Sequence, residues 1–152
     1  MDYIQQIDIL KGGVPKLPVR SAYISQKGLV GDKHKTKKYH GGLDSEVCLF
    51  LMDVIKKLQK EGHSILPGST RENLTIRHHN YFLLKEGIKL QIGENVLIEV
   101  VSYTVPCETI RALFLKVDFS IILQELNPGN SRLYATGLQE KWIKKVRFNS
   151  RN

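Results

Sequence analysis

The chain has 152 residues, a formal charge of +8, 41% hydrophobic residues and 25% charged residues, which suits one domain, residues 1–152, with a real core. No apolar run approaches the roughly 20 residues of a membrane span, and two cysteines far apart, with no basic and apolar leader at the start, argue against a disulfide scaffold and for a reducing cytoplasm. The positive charge suits an anionic partner, either nucleic acid or a small phosphate-bearing ligand, and equally suits simple solubility.

Ile4 to Leu10 alternates as a strand, and Gly12-Gly13-Val14-Pro15-Lys16 breaks it, leaving Lys16 on a loop. Gly28 and Gly31 flank Leu29-Val30, which predicts a short strand. Lys33 to His40 is polar and basic and reads as a solvated loop. His40-Gly41-Gly42-Leu43-Asp44 follows. Its two glycines let backbone N–H groups come close to a ligand, with His40 and Asp44 beside them, although most such turns are only turns. It matches neither a Walker A loop nor a dinucleotide fingerprint.

Glu46 to Leu51 is an apolar run and predicts a buried strand with Cys48 as a structural residue. Asp53 to Glu61 has Val54, Ile55 and Leu58 on one helical face, with Gly62 as the residue after the helix. His63 is expected at the surface near the helix end. Pro67 to Thr70 is a turn leading into a strand through Ile76. Asn73 alternates with the apolar positions, so its amide would point inward and either tie down a loop or bind a ligand. His78 and His79 are adjacent, and neighbours on a strand face opposite ways, which makes them poor joint metal ligands.

Lys89 to Ile92 and Val96 to Val101 read as a hairpin. Pro106 cannot donate to a ladder and holds Val105 extended, so the strand should stop before Cys107. A helix beginning near Thr109 would set Cys107 at its N-terminus, where a thiolate is favoured. The plain alternative is a small buried hydrophobe. Ile110 to Phe114 and Phe119 to Leu126 both look helical, the second with Ile122, Leu123 and Leu126 as a core stripe. After the Asn127-Pro128-Gly129-Asn130 turn, Ser131 to Ala135 returns as a strand, and Arg132 is either a phosphate fork or an ordinary exposed residue. Trp142, Val146 and Phe148 predict a last strand in a basic tail. About seven or eight short strands and two or three helices suggest a mainly β, barrel-like α+β domain.

Six ordered motifs carry a resemblance over residues 12 to about 134. They are Gly12-Gly13-Val14-Pro15-Lys16; Gly31-Asp32-Lys33 leading to His40-Gly41-Gly42-Leu43-Asp44; Val47-Cys48-Leu49-Phe50; Pro67-Gly68-Ser69 with Glu72-Asn73-Leu74-Thr75; Pro106-Cys107; and Ser131-Arg132-Leu133-Tyr134. In this order they resemble the MOSC family, the molybdenum-cofactor sulfurase C-terminal domains. The resemblance implies a β-barrel-like fold and a site organised on Cys107, which would hold molybdenum or carry sulfur as a soft thiolate. It also implies that Lys16, Lys33, Arg132 and the Gly41-Gly42 turn would serve the phosphate of the pterin cofactor, molybdopterin. His40, Asp44 and Asn73 would be polar groups around the pterin, and Thr109 and Arg111 would lie within reach of the same site.

The implied activity is that of an oxidoreductase reducing N-hydroxylated small molecules, or sulfur transfer. The chain shows no cysteine desulfurase, iron–sulfur or flavin domain, so a separate electron donor protein or a separate desulfurase would be the partner. Two departures from the family pattern stand out. Arg71 replaces the usual glycine before Glu-Asn-Leu, and the last strand lacks the usual Gly-Asp turn, which puts barrel closure in question. Two other readings are kept: a basic nucleic-acid-binding module, against which stands the lack of any recognised binding motif, and a non-catalytic interaction domain.

Overall fold

The structure is a computed structural model that describes residues 3–9, 17–25, 28–31, 47–78, 84–92, 96–138 and 141–144. Its strands are β1 (Tyr3–Ile9), β2 (Leu17–Val19), β3 (Ser21–Ser25), β4 (Gly28–Leu29), β5 (Val47–Leu51), β6 (Leu74–Arg77), β7 (Lys89–Ile92), β8 (Val96–Tyr103), β9 (Leu133–Gly137) and β10 (Lys141–Lys144). One α-helix, α1 (Met52–Lys60), joins β5 to β6, and three short 3-10 helices lie between β8 and β9. The domain is mainly β, as the sequence predicts.

Seven strands form one sheet in the order β2-β1-β6-β5-β9-β8-β7, and β10-β3-β4 form a second. The strand β5 sits at the middle of the larger sheet. Every residue of its Val47-Cys48-Leu49-Phe50-Leu51 run is buried, the pattern of a strand covered on both faces. It pairs in parallel with β6 and antiparallel with β9. A parallel pair needs a crossover, and α1 supplies it.

The helix follows from its own residues. Met52, Val54, Ile55 and Leu58 face the core at helical spacing. Asp53 lies in its first turn and Lys57 and Lys60 in its last, which complements the helix dipole. Gly62 takes a φ of +99°, the left-handed step that commonly ends a helix, and His63 N–H then returns to the Leu58 carbonyl at 3.1 Å.

Three expectations change. The stretch after Asp118 is a four-residue 3-10 helix, Phe119–Ile122, with Leu126 65% exposed rather than in a core stripe. The cause is local competition for carbonyls. Asn127 Nδ2 donates to the Ser120 carbonyl and Asn130 Nδ2 to that of Ile121, each at 3.0 Å, and such side-chain bonds offer the backbone an alternative to helix. The strand β9 starts at Leu133 and leaves Ser131 and Arg132 buried before it. The two sheets of described strands do not close into a barrel. They meet where β3 lies against β9: a Cβ at Gly137 would come within 3.0 Å of the Ile24 side chain and 3.1 Å of the Ser25 carbonyl. In the last strand Trp142 is 70% exposed, while Val146 and Phe148 lie outside the described residues.

Candidate functional site

Tyr103 ends β8, and the chain then runs extended beside the start of β9. Thr104 N–H donates to the Arg132 carbonyl at 3.0 Å, and Ser131 Oγ donates to the Thr104 carbonyl at 3.4 Å. Pro106 is buried, and Cys107 after it is partly exposed. This is the stop that the proline predicts. Cys107 itself is extended, with φ −117° and ψ 164°, and heads a six-residue 3-10 helix, Glu108–Leu113. So short a helix has little dipole to offer an anion. The polar neighbour that does reach the thiol is Thr109, whose hydroxyl lies 2.8 Å from Sγ.

Arg111 completes this edge. It pairs with Glu108 at 2.6 Å and lies over the Phe119 ring, 4.9 Å from its centroid. Its Nε is buried and has no hydrogen-bond partner among the described residues. The cation–π contact and the ion pair fix the guanidinium, so the spare N–H is held in place.

A buried polar group adjoins the same turn. Arg132, expected as a phosphate fork or an exposed strand residue, is 5% exposed. Its Nη1 donates to the Thr70 carbonyl at 2.6 Å, and its Nε has no partner. Glu72 is fully buried beside it and accepts from Thr70 Oγ1 at 3.2 Å through Oε2. Its second oxygen, Oε1, has no hydrogen-bond partner on another described residue, and the residue's own backbone N–H acts on the carboxyl as well. Burial pushes the Glu72 carboxyl up to about 7 against the pull of Arg132, and the nearby Asp8 pushes the same way. Asp8 is buried too, held by Gln6 Nε2 at 3.0 and 3.1 Å.

The backbone aims these groups inward. Gly68 has φ +85°, and a Cβ there would come within 2.6 Å of the Asp8 carboxylate. Arg71 has φ +67°, a left-handed conformation that costs a non-glycine residue roughly 1–2 kcal/mol. That is a physical reason for glycine at this position, and Arg71 is strained where it turns Glu72 into the interior.

Asn73 points inward, as its place in the strand predicts. Its Oδ1 accepts from the Cys48 N–H at 3.0 Å and its Nδ2 donates to the Asp8 carbonyl at 3.3 Å. The amide thus ties β5 to β1. Cys48 is buried in β5, as a structural residue should be. His63 is half-buried rather than free at the surface; its Nδ1 accepts from the Leu115 N–H at 3.1 Å.

The structure therefore brings Cys107, Thr109 and Arg111 onto one edge and links Arg132 to them through Thr104. Lys16, Lys33, His40, Gly41, Gly42 and Asp44, and also His79, lie outside the described residues. Among the described residues no three His, Cys, Asp or Glu side chains gather as a metal site. The residues missed from the sequence are Asp8, Thr70, Glu72 and Thr104. The available signal was Glu72 itself, an acid placed directly before an inward-pointing Asn at the start of an apolar strand.

The MOSC domain profile matches residues 36–145, most of the chain and all of the Cys107 edge. This chain belongs to the MOSC domain family. Solved MOSC-fold structures resemble it. The YuaD protein from Bacillus subtilis superposes with a TM-score of 0.70 at 12% identity, covering 95% of this chain and 92% of that one. YiiM from Geobacillus stearothermophilus superposes with a TM-score of 0.66 at 18% identity, covering 95% and 71%. YiiM from Escherichia coli gives 0.58 at 20% identity, covering 99% and 72%. The chain spans 65% of a further crystal structure, of a hypothetical protein, with a TM-score of 0.65. At these identities the likeness is one of MOSC fold. No curated protein sequence matches significantly. No described helix of this MOSC domain is long and apolar enough to cross a membrane.

Proposed function

We propose that this MOSC domain binds the molybdenum cofactor through the Cys107 thiolate and reduces N-hydroxylated compounds with electrons from a separate donor protein. The observation that carries the reading is the Cys107 thiol itself: partly exposed, directly after Pro106, with the Thr109 hydroxyl 2.8 Å away. The residues present fit the group. A thiolate is a soft ligand for the metal, and the unpartnered buried Nε of Arg111 is a donor without an acceptor, as an oxyanion site requires. When bound, the cofactor supplies the two-electron redox chemistry. The chain holds it through Cys107, with Thr109 and Arg111 as hydrogen-bond donors beside it.

Lys16, Lys33, Gly41 and Gly42 are proposed for the phosphate, and His40 and Asp44 for the pterin. Asn73 and Arg132 are proposed for the same site; Asn73 is bonded to Cys48 and Asp8, and Arg132 is bonded to Thr70 with its Nε left over among the described residues. A variant reading uses the same thiol. A single accessible cysteine suffices to accept a sulfane sulfur from a persulfide donor such as a cysteine desulfurase, and Cys107 is the accessible one of the two.

The deciding experiment is metal and pterin content of the protein made in a host that synthesises the cofactor and purified without oxygen, beside Cys107→Ser. Molybdenum and pterin together in the wild type and absent from the variant support the cofactor reading. Their absence from both, under conditions that load a known molybdenum protein, overturns it. Sulfane sulfur on Cys107 without metal supports sulfur transfer instead.

A further inference from the structure

The described charged side chains around Glu72 come from separate segments. Asp8 comes from β1, Arg132 from the segment before β9, and Glu72 from the turn before β6. Among the described residues, Asp8 and Arg132 are the charges that act on Glu72. Burial favours the protonated form of an acid wherever its partners do not fully replace water. Among the other described residues, none donates to Glu72 Oε1 and none accepts from Arg132 Nε. An ion pair between them would satisfy both. The present arrangement instead leaves Arg132 on the Thr70 carbonyl and Glu72 on the Thr70 hydroxyl. There are thus two self-consistent states, one with the proton on Glu72 and one with Glu72 ionised and drawn to Arg132.

Arg132 is also where this group meets the Cys107 turn. Its carbonyl accepts from the Thr104 N–H at 3.0 Å and from the Ser131 hydroxyl at 2.7 Å. Thr104 Oγ1 is a third buried atom without a partner, so this side of the turn has hydrogen-bonding capacity to spare. A shift of Arg132 is therefore passed to the backbone three residues before Cys107.

We propose that Glu72 is a positioning residue for Cys107: gain or loss of its proton moves Arg132 between two bonding states and so sets how the Thr104–Cys107 turn presents the thiol. The inference rests on Cys107 being the functional thiol, and it needs no bound cofactor. The raised Glu72 carboxyl places the change near neutral pH.

The test is the rate of Cys107 alkylation by iodoacetamide on the whole chain, followed by peptide mass spectrometry, with the buried Cys48 as internal control. A thiol alone gives one ionisation curve as pH rises from about 5.5 to 9. Wild type is expected to add a second inflection near neutrality, with a rate change of about fivefold, the scale of a modest coupling between sites. Glu72→Gln, which cannot lose a proton, is expected to give the single curve. Thr70→Val removes a bond that favours the ionised acid, so the inflection should move to higher pH.

A single curve in wild type, or a second inflection that survives Glu72→Gln, overturns the proposal. If Glu72→Gln does not fold, Thr70→Val decides, and an unmoved inflection counts against it. The cofactor reading is judged separately by metal content. An inflection lost in Glu72→Gln in a protein that loads no molybdenum keeps this inference and retires that one, and the reverse outcome does the opposite.

Discussion

The two cysteines of this chain occupy opposite environments. Cys48 lies in the middle of β5, between strands on both sides, with its N–H bound by Asn73. Cys107 stands at the end of β8, after a proline, with a hydroxyl on its sulfur and a guanidinium four residues on. The side chain is the same. What differs is whether the surroundings supply packing or unspent polar groups. All five residues of β5 are buried, whereas among the described residues the buried polar atoms without a partner belong to Glu72, Thr75, Thr104, Arg111 and Arg132; Arg111 follows Cys107 by four residues, and Arg132 is bonded to Thr104 three residues before it. Native interiors rarely leave such atoms unsatisfied, so stability is concentrated at the first cysteine and chemical capacity at the second.

The largest effect that would break this contrast is in the β5 region. Phe50 has no exposed surface, and Phe50→Ala should cost about 3–5 kcal/mol by denaturant unfolding. A loss under 1 kcal/mol would mean that this strand is not the packed centre.

Next in size is the pH dependence carried by Glu72. Its carboxyl lies at about 7 when folded against 4.5 ordinarily, so the folded state binds the proton more tightly than the unfolded one. The associated stability is fully present below pH 4.5 and is lost as pH rises through 7, about 3 kcal/mol in all. Glu72→Gln should match wild type at acid pH, exceed it above neutrality and flatten the curve of stability against pH. Parallel curves for the two proteins would place the ionisation elsewhere.

The cysteines themselves can be compared directly. Cys48→Ser buries a hydroxyl in a full strand and should cost about 1–3 kcal/mol. Cys107→Ser should stay within about 0.5 kcal/mol while removing any bound metal. Equal losses would erase the distinction between the two sites. A change in the opposite direction is expected at Arg71. Its φ of +67° makes Arg71→Gly stabilising by about 1 kcal/mol, read as a rise in melting temperature.

Much of the larger sheet was legible from short-range pattern. The apolar run of β5, the helical spacing of Val54, Ile55 and Leu58, the β7–β8 hairpin and the stop at Pro106 each depend on neighbours within a few residues. The helix expected from Phe119 to Leu126 failed for a reason visible only in three dimensions: the amides of Asn127 and Asn130 take carbonyls that a continuing helix would have used. A cysteine just past a strand-ending proline is likewise a local feature, and Cys107 is partly exposed there. Glu72 was not legible, because nothing adjacent to it in the chain tells that Arg132 and Asp8 will be buried against it.

By itself, then, the sequence determined a mainly β domain, the MOSC family, the course of its main strands and the burial of Cys48, because alternation, proline geometry and ordered motifs are written in consecutive residues; the partial exposure of Cys107 came from the structure. The tertiary structure decided which polar groups share a buried space. Residues 8, 70, 72, 104 and 132 come from separate segments, and their charges and unspent hydrogen bonds act on one another only once the sheet has brought β1, β6, β8 and β9 together. Burial then converts an ordinary glutamate into a proton-holding one, because a charge taken out of water is costly wherever its partners do not fully replace the solvent.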